Sequence, residues 1–146
     1  MFQRQLEACK AVSYANSTGK RVIARGASVG RRKGTCRSTY WERYGKALAG
    51  NRLFSWYVDI EWCYWRGRIT FLDVGTRPDV RAPLWSFDKR IAYRRSGGVG
   101  SRTASVFAQG KFELCVTKLG CIQQKQPWLR VVVNGDGTSS FRSGGT

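Results

Sequence analysis

The sequence predicts an all-β protein, an antiparallel β-sandwich or small barrel of about six strands, with a basic and largely irregular N-terminal segment. Three observations carry this expectation. Apolar and polar residues alternate in several runs of strand length. Gly, Pro, Asn and Asp punctuate those runs at regular spacing. Helical periodicity is scarce, while an aromatic content of 13% over 146 residues supplies enough apolar area for a sheet core.

The clearest element is 53–74, LFSWYVDIEWCYWRGRITFLDV. Phe54, Trp56, Val58, Ile60, Trp62 and Tyr64 fall on every second position, with Ser55, Tyr57, Asp59, Glu61 and Cys63 between them. Strand side chains alternate faces, so one face is apolar and rich in tryptophan and the other mostly polar. Arg66-Gly67 permits a tight turn, and 68–74 resumes a β-rich run, which together make a long hairpin. The stretch 75–83, GTRPDVRAP, reads as a loop because of its two prolines and glycine. In 84–93, Trp85, Phe87, Ile91 and Tyr93 share a face that Lys89 interrupts. Residues 94–102, RRSGGVGSR, read as a glycine-rich basic loop. In 104–116, Val106, Ala108, Phe112, Leu114 and Val116 face one way, with a bulge expected at Gly110. A strand at 128–133 follows Pro127. Asn134-Gly135-Asp136-Gly137 is a strong turn signal, since both glycines tolerate positive φ. A short last strand at 138–141 and a frayed tail at 142–146 complete the β domain, placed at 53–141.

Residues 1–52 differ. They hold twelve bases against Glu7 and Glu42, and apolar residues are sparse. Helical turns are expected near 2–12 and 39–49, and 26–34 reads as flexible. The segment is expected to be irregular, or ordered by a partner.

Net charge is +17, with 26 Lys+Arg, 9 Asp+Glu and no His. Such a charge attracts polyanions: nucleic acid, anionic lipid or acidic glycans. The cations expected to serve are Arg21, Arg25, Arg31, Arg32, Lys33, Arg94, Arg95 and Arg102. Tyr57, Trp65 and Tyr93 are the candidates for stacking against bases. Without His, the commonest general bases, triads and zinc sites are excluded, and no catalytic set, cofactor or metal site is expected. Asp59 and Glu61 share a strand face among arginines, which points to salt bridging with Arg66 or Arg68 rather than to acid–base catalysis. The loop 96–101 lacks a P-loop ending and a following helix, so it reads as a hairpin loop.

Five cysteines leave at least one unpaired within a monomer. Cys115 and Cys121 bracket a short bend and are expected to form a disulfide, which implies an oxidising compartment. Cys63 is either buried and free or paired with Cys36 or Cys9. No apolar run is long enough for a membrane span. The N-terminus is basic without the apolar region of a secretory signal, so either the protein is not secreted as written or its start differs.

The run Trp62-Cys63-Tyr64 with Gly67, Ile69 and Thr70, then QGKFELCVTKLGC and PWLRVVVNGDGT, resembles small secreted β-rich proteins of actinobacteria over about 53–141. The resemblance implies an exported, disulfide-bearing, non-enzymatic β-sandwich. The functional expectation is a secreted binding or assembly module that contacts an anionic cell-envelope polymer or a partner protein. The alternative is a nucleic-acid-binding protein that uses the basic N-terminal segment.

Overall fold

The computed structural model describes residues 7–24 and 34–145, with the side chains of 21–24 excepted. Among the described residues there are nine strands. One sheet is formed in the order β1 (Ser13–Ala24), β2 (Thr35–Lys46), β3 (Arg52–Trp65) and β4 (Arg68–Val80). The other runs β5 (Trp85–Gly97), β6 (Thr103–Val116), β8 (Trp128–Asn134), β9 (Ser139–Gly144), with β7 (Gly120–Lys125) also paired to β6. Every pairing is antiparallel. The expected all-β sandwich is the observed architecture, with nine strands rather than about six.

The alternation read from β3 holds. Phe54, Trp56, Val58, Ile60 and Trp62 are all buried between the sheets, against Ala104, Val106, Ala108, Phe112, Leu114, Leu129, Val131 and Val133. The tryptophans span both layers. The indole N–H of Trp56 donates to Ala108 O at 3.1 Å, and that of Trp62 to Asn134 O at 3.2 Å. Each large apolar ring thereby enters the core with its one polar atom satisfied. Phe54, Trp85, Phe87 and Phe112 complete an aromatic cluster, with Phe54 stacked on Phe112 at 4.5 Å.

The domain boundary expected at residue 53 is not present. β2 pairs with β3 from Thr35↔Tyr64 to Lys46↔Arg52, and Trp41 and Ala47 belong to the common core. The stretch 39–49, expected to be helical, is therefore largely strand; of the helix expected near 2–12, residues 7–9 are helical and 11–12 are not, and 2–6 lie outside the described residues. The polar pattern of β1 and β2 concealed them. Their outward side chains are buried by one another rather than by apolar contact. Ser17 and Arg52 bind the Glu42 carboxylate, which is 1% exposed. Burial raises the Glu42 pKa, but the Ser17 hydrogen bond, the neighbouring Ser55 and Tyr57 hydroxyls and the Arg52 charge outweigh it, so the net direction is downward.

Three further expectations are corrected. β4 continues to Val80, through most of the supposed loop at 75–83, because it is an edge strand and Pro78 needs no ladder donor. The alternation in β5 fails at two bulges, where Asp88 and Ile91 are extra residues, and Ile91 is exposed. The tail does not fray at 142: β9 runs to Gly144, and Arg43 donates to Ser143 Oγ and Gly145 O. The turns themselves fall where expected. Arg66 and Gly67 both take positive φ, as a two-residue hairpin turn requires. Of the two turn glycines, Gly137 has positive φ. Gly135 instead lies against the Gly67 carbonyl, where a Cβ would collide.

Candidate polyanion-binding face

The two outer faces of the sandwich differ in how their charges are settled. On the β1–β4 sheet, cations stand beside acids. Arg77 donates to Asp59 at 2.9 Å, Arg81 to Asp79 at 3.0 Å, and Arg52 to Glu42 at 2.8 Å. Asp59 is thus held by Arg77, not by Arg66 or Arg68, because the register places it nearest β4's middle. The Arg77 guanidinium also covers the Tyr57 ring at 3.7 Å. A depression of about 260 Å³ lies here, lined by Gly19, Lys20, Ser38, Thr39, Tyr40 and Asp59.

The outer face of the second sheet is built otherwise. Alternation sends Val106 and Ala108 of β6 and Leu129 and Val131 of β8 into the core, so Phe107, Arg130 and Val132 point out. Register then aligns three cross-strand rows. The first is Ser96, Ser105, Val132 and Ser140; the second is Arg94, Phe107, Arg130 and Arg142; the third is Ala92, Gln109, Trp128 and Gly144. No acidic side chain stands in these rows. Arg94 and Arg130 lie 4.9 and 5.6 Å from the Phe107 ring centroid, and Trp128 packs at 5.6 Å from the same ring. Phe107 is therefore a spacer that holds guanidiniums by cation–π contact, at an energy of about 0.5–1 kcal/mol for exposed sites. A concavity of about 470 Å³ opens here, and Arg94, Arg95, Ser96, Ser105, Phe107 and Arg130 are among the residues that line it. The acids begin further along β5 and β6, where Lys111 lies 3.4 Å from both Asp88 and Glu113.

The expected site residues distribute as follows. Arg94 lies in the central row of this face. Arg95 pairs with Val106, one residue off that row, is exposed, and also lines the concavity. Both sit on β5, not in a loop as expected, because β5 extends to Gly97. Arg102 is exposed in the β5–β6 turn, and its carbonyl accepts from Gly135 N–H. That turn is pinned by Gly100 N–H to Ile69 O and Ile69 N–H to Ser101 O, a hairpin connection and not a phosphate cradle. Arg21 lies in β1 opposite Ser38; Arg25, Arg31, Arg32 and Lys33 lie outside the described residues. The stacking candidates are occupied or peripheral: Tyr57 is buried under Arg77, Tyr93 is covered by Arg90 at 4.2 Å, and Trp65 stands exposed at the β3–β4 turn. Sequence reasoning missed Phe107, Trp128, Arg130 and Arg142. Alternation in 128–133 already set Arg130 against the core residues, but only register shows that it flanks Phe107.

Cys115 and Cys121 are joined, as expected, directly across the β6–β7 hairpin. Cys36 and Cys63 are joined across β2 and β3, which settles the open alternatives for Cys63. Cys9 is free and half-buried. Glu113 Oε2 lies 3.8 and 3.6 Å from the Cys115 and Cys121 sulfurs, but disulfide sulfurs are not thiolate ligands. Among the described residues, no helix is long and apolar enough to cross a membrane. No known protein family, curated protein or solved structure matches the chain.

Proposed function

We propose that this protein is a non-catalytic β-sandwich module that binds an anionic polymer on the outer face of its β5–β9 sheet. The observation that carries the reading is the row Arg94, Phe107, Arg130 and Arg142, three guanidiniums with no acid between them. Four adjacent strands carry that row over about 14 Å, at the usual strand spacing. A linear polyanion crossing the strands meets successive guanidiniums, whose planar forks match carboxylate, sulfate and phosphate oxygens. Two disulfides fit an oxidising, extracellular setting, in keeping with the resemblance to exported proteins. The partner is then a polymer outside the cytoplasm.

Binding of the full chain to inorganic polyphosphate and to polygalacturonate over a salt series tests this. Affinity should fall steeply with salt, and Arg130→Ala and Arg94→Ala should each lower the salt slope by about one. Affinities that both substitutions leave unchanged would overturn the assignment of this face.

A further inference from the structure

We infer that the polymer is an acidic polysaccharide, and that Trp128 is the surface on which one of its sugar rings lies. This rests on the polyanion reading of the same face and deepens it. Trp128 differs from the core tryptophans in standing half-buried on the outer face. Trp56, Trp62 and Trp85 each donate their indole N–H to a backbone carbonyl. The Trp128 N–H donates to no described residue. Its ring rests against Gly144, where a Cβ would meet Cζ2 at 2.6 Å, Cε2 at 2.7 Å and Nε1 at 2.9 Å. The row it occupies is otherwise low: Ala92 and Gly144 flank it, and Gln109 turns its amide to Gln126 O at 2.9 Å. A flat aromatic surface with an unused donor at its edge, beside short neighbours, accepts a disc-shaped group with one apolar face and a polar rim. A pyranose ring has that shape and polarity.

The neighbouring rows supply the rest of such a ligand's chemistry. One row away stand Arg94, Arg130 and Arg142, for carboxylate or sulfate groups. Two rows away stand Ser96, Ser105 and Ser140, hydroxyls that both donate and accept and so match sugar hydroxyls. A nucleic-acid strand asks for something different: several open stacking surfaces along a basic groove. Here Phe107 already contacts Arg94, Arg130 and Trp128. Trp128 is then a single platform, suited to one ring of a hydroxyl-rich chain.

The experiment compares three polymers on the full-length protein: polygalacturonate, inorganic polyphosphate and a single-stranded oligonucleotide. The variants are Trp128→Leu, Trp128→Tyr and the double substitution Arg94→Ala/Arg130→Ala. The double arginine change should weaken polygalacturonate and polyphosphate alike. Trp128→Leu should weaken polygalacturonate about tenfold, which is about 1.4 kcal/mol, while leaving polyphosphate within about twofold. Trp128→Tyr keeps a flat ring and should retain most of the affinity. If Trp128→Leu fails to fold, the indole N–H resonance of Trp128 in the wild type decides the matter. It should shift on adding polygalacturonate and not on adding polyphosphate, with those of Trp56 and Trp62 unmoved. If the arginine change weakens both polymers but neither Trp128 measurement responds to polygalacturonate, the sugar assignment fails alone. If the arginine change affects neither polymer, the reading beneath it fails as well. An oligonucleotide that binds tighter than polygalacturonate and loses affinity in Trp128→Leu would overturn the proposal in favour of base stacking.

Discussion

Replacing both Cys36 and Cys63 by Ala tests how the first sheet is held together. The bridge closes a sequence separation of 27, and loop-closure entropy for a loop of that size corresponds to about 3.6 kcal/mol. For Cys115 and Cys121, with a separation of 6, the same relation yields about 2.4 kcal/mol. Burial widens the difference. Cys36 and Cys63 are both 0% exposed, so truncation also leaves a void, whereas Cys121 is exposed and its loss leaves none. Double substitution, rather than single, avoids an unpaired thiol that exchanges with Cys9. The assay is equilibrium denaturation in urea without reductant, in a Cys9→Ala background. The Cys36→Ala/Cys63→Ala protein should lose more stability than Cys115→Ala/Cys121→Ala. Its m-value should also rise more, because the longer released loop lets the unfolded chain expand further. A Cys115→Ala/Cys121→Ala protein that loses as much stability as the other, or more, would refute the loop-length argument.

Two other sites yield predictions from packing and charge. A Cβ at Gly110 would lie 2.8 Å from the Trp56 ring, so Gly110→Ala should cost about 1–3 kcal/mol in the same denaturation assay. Gly75, on edge strand β4, meets nothing within 4 Å, so Gly75→Ala should stay within about 0.5 kcal/mol of wild type; the two glycines behaving alike would contradict the packing described. Glu42→Gln removes a buried carboxylate held by Arg52 and Ser17 and should cost about 2 kcal/mol at neutral pH. The folded Glu42 pKa lies below its ordinary 4.5, so its contribution is complete above that value and is lost as pH falls through the folded one. Stability against pH should therefore fall less steeply below about pH 4.5 in Glu42→Gln than in wild type, and parallel curves would show that the carboxylate is not coupled to folding.

The legible part of the fold was the part that is apolar on one face. β3, the hairpin turn at Arg66-Gly67, β6 and the turn at 134–137 all follow from local pattern, because each is decided by residues near in sequence. β1 and β2 were illegible for a definite reason. Their outward residues gain burial through a polar network, with Glu42 as its centre, and such a network depends on partners that lie far along the chain: Ser17, Arg52 and Tyr57. Pattern reading scores these positions as solvent-facing. β4 was cut short because Pro78 reads as a loop residue until its strand is known to be an edge. Of the expected cations among the described residues, Arg94 alone enters the central row, since net charge counts cations and takes no account of which face each one occupies.

Register decides which cations remain unneutralised, and the core fixes the register. Arg77 and Asp59 are 18 residues apart and meet across β3 and β4. Arg94 and Arg130 are further apart in sequence, and both meet Phe107. Side chains alternate with a period of two, so slipping β8 by one residue against β6 would turn Leu129, Val131 and Val133 outward and press Arg130 into the core. Leu129, Val131 and Val133 are all 0% exposed, and a slip would forfeit their burial as well as bury an unpaired charge. The arginine row on the outside is therefore held in place by the apolar row on the inside. A ligand that binds across the strands meets charges whose spacing cannot adjust without unpacking the sandwich. That rigidity favours a repeating polymer matched to the strand spacing over a compact anion.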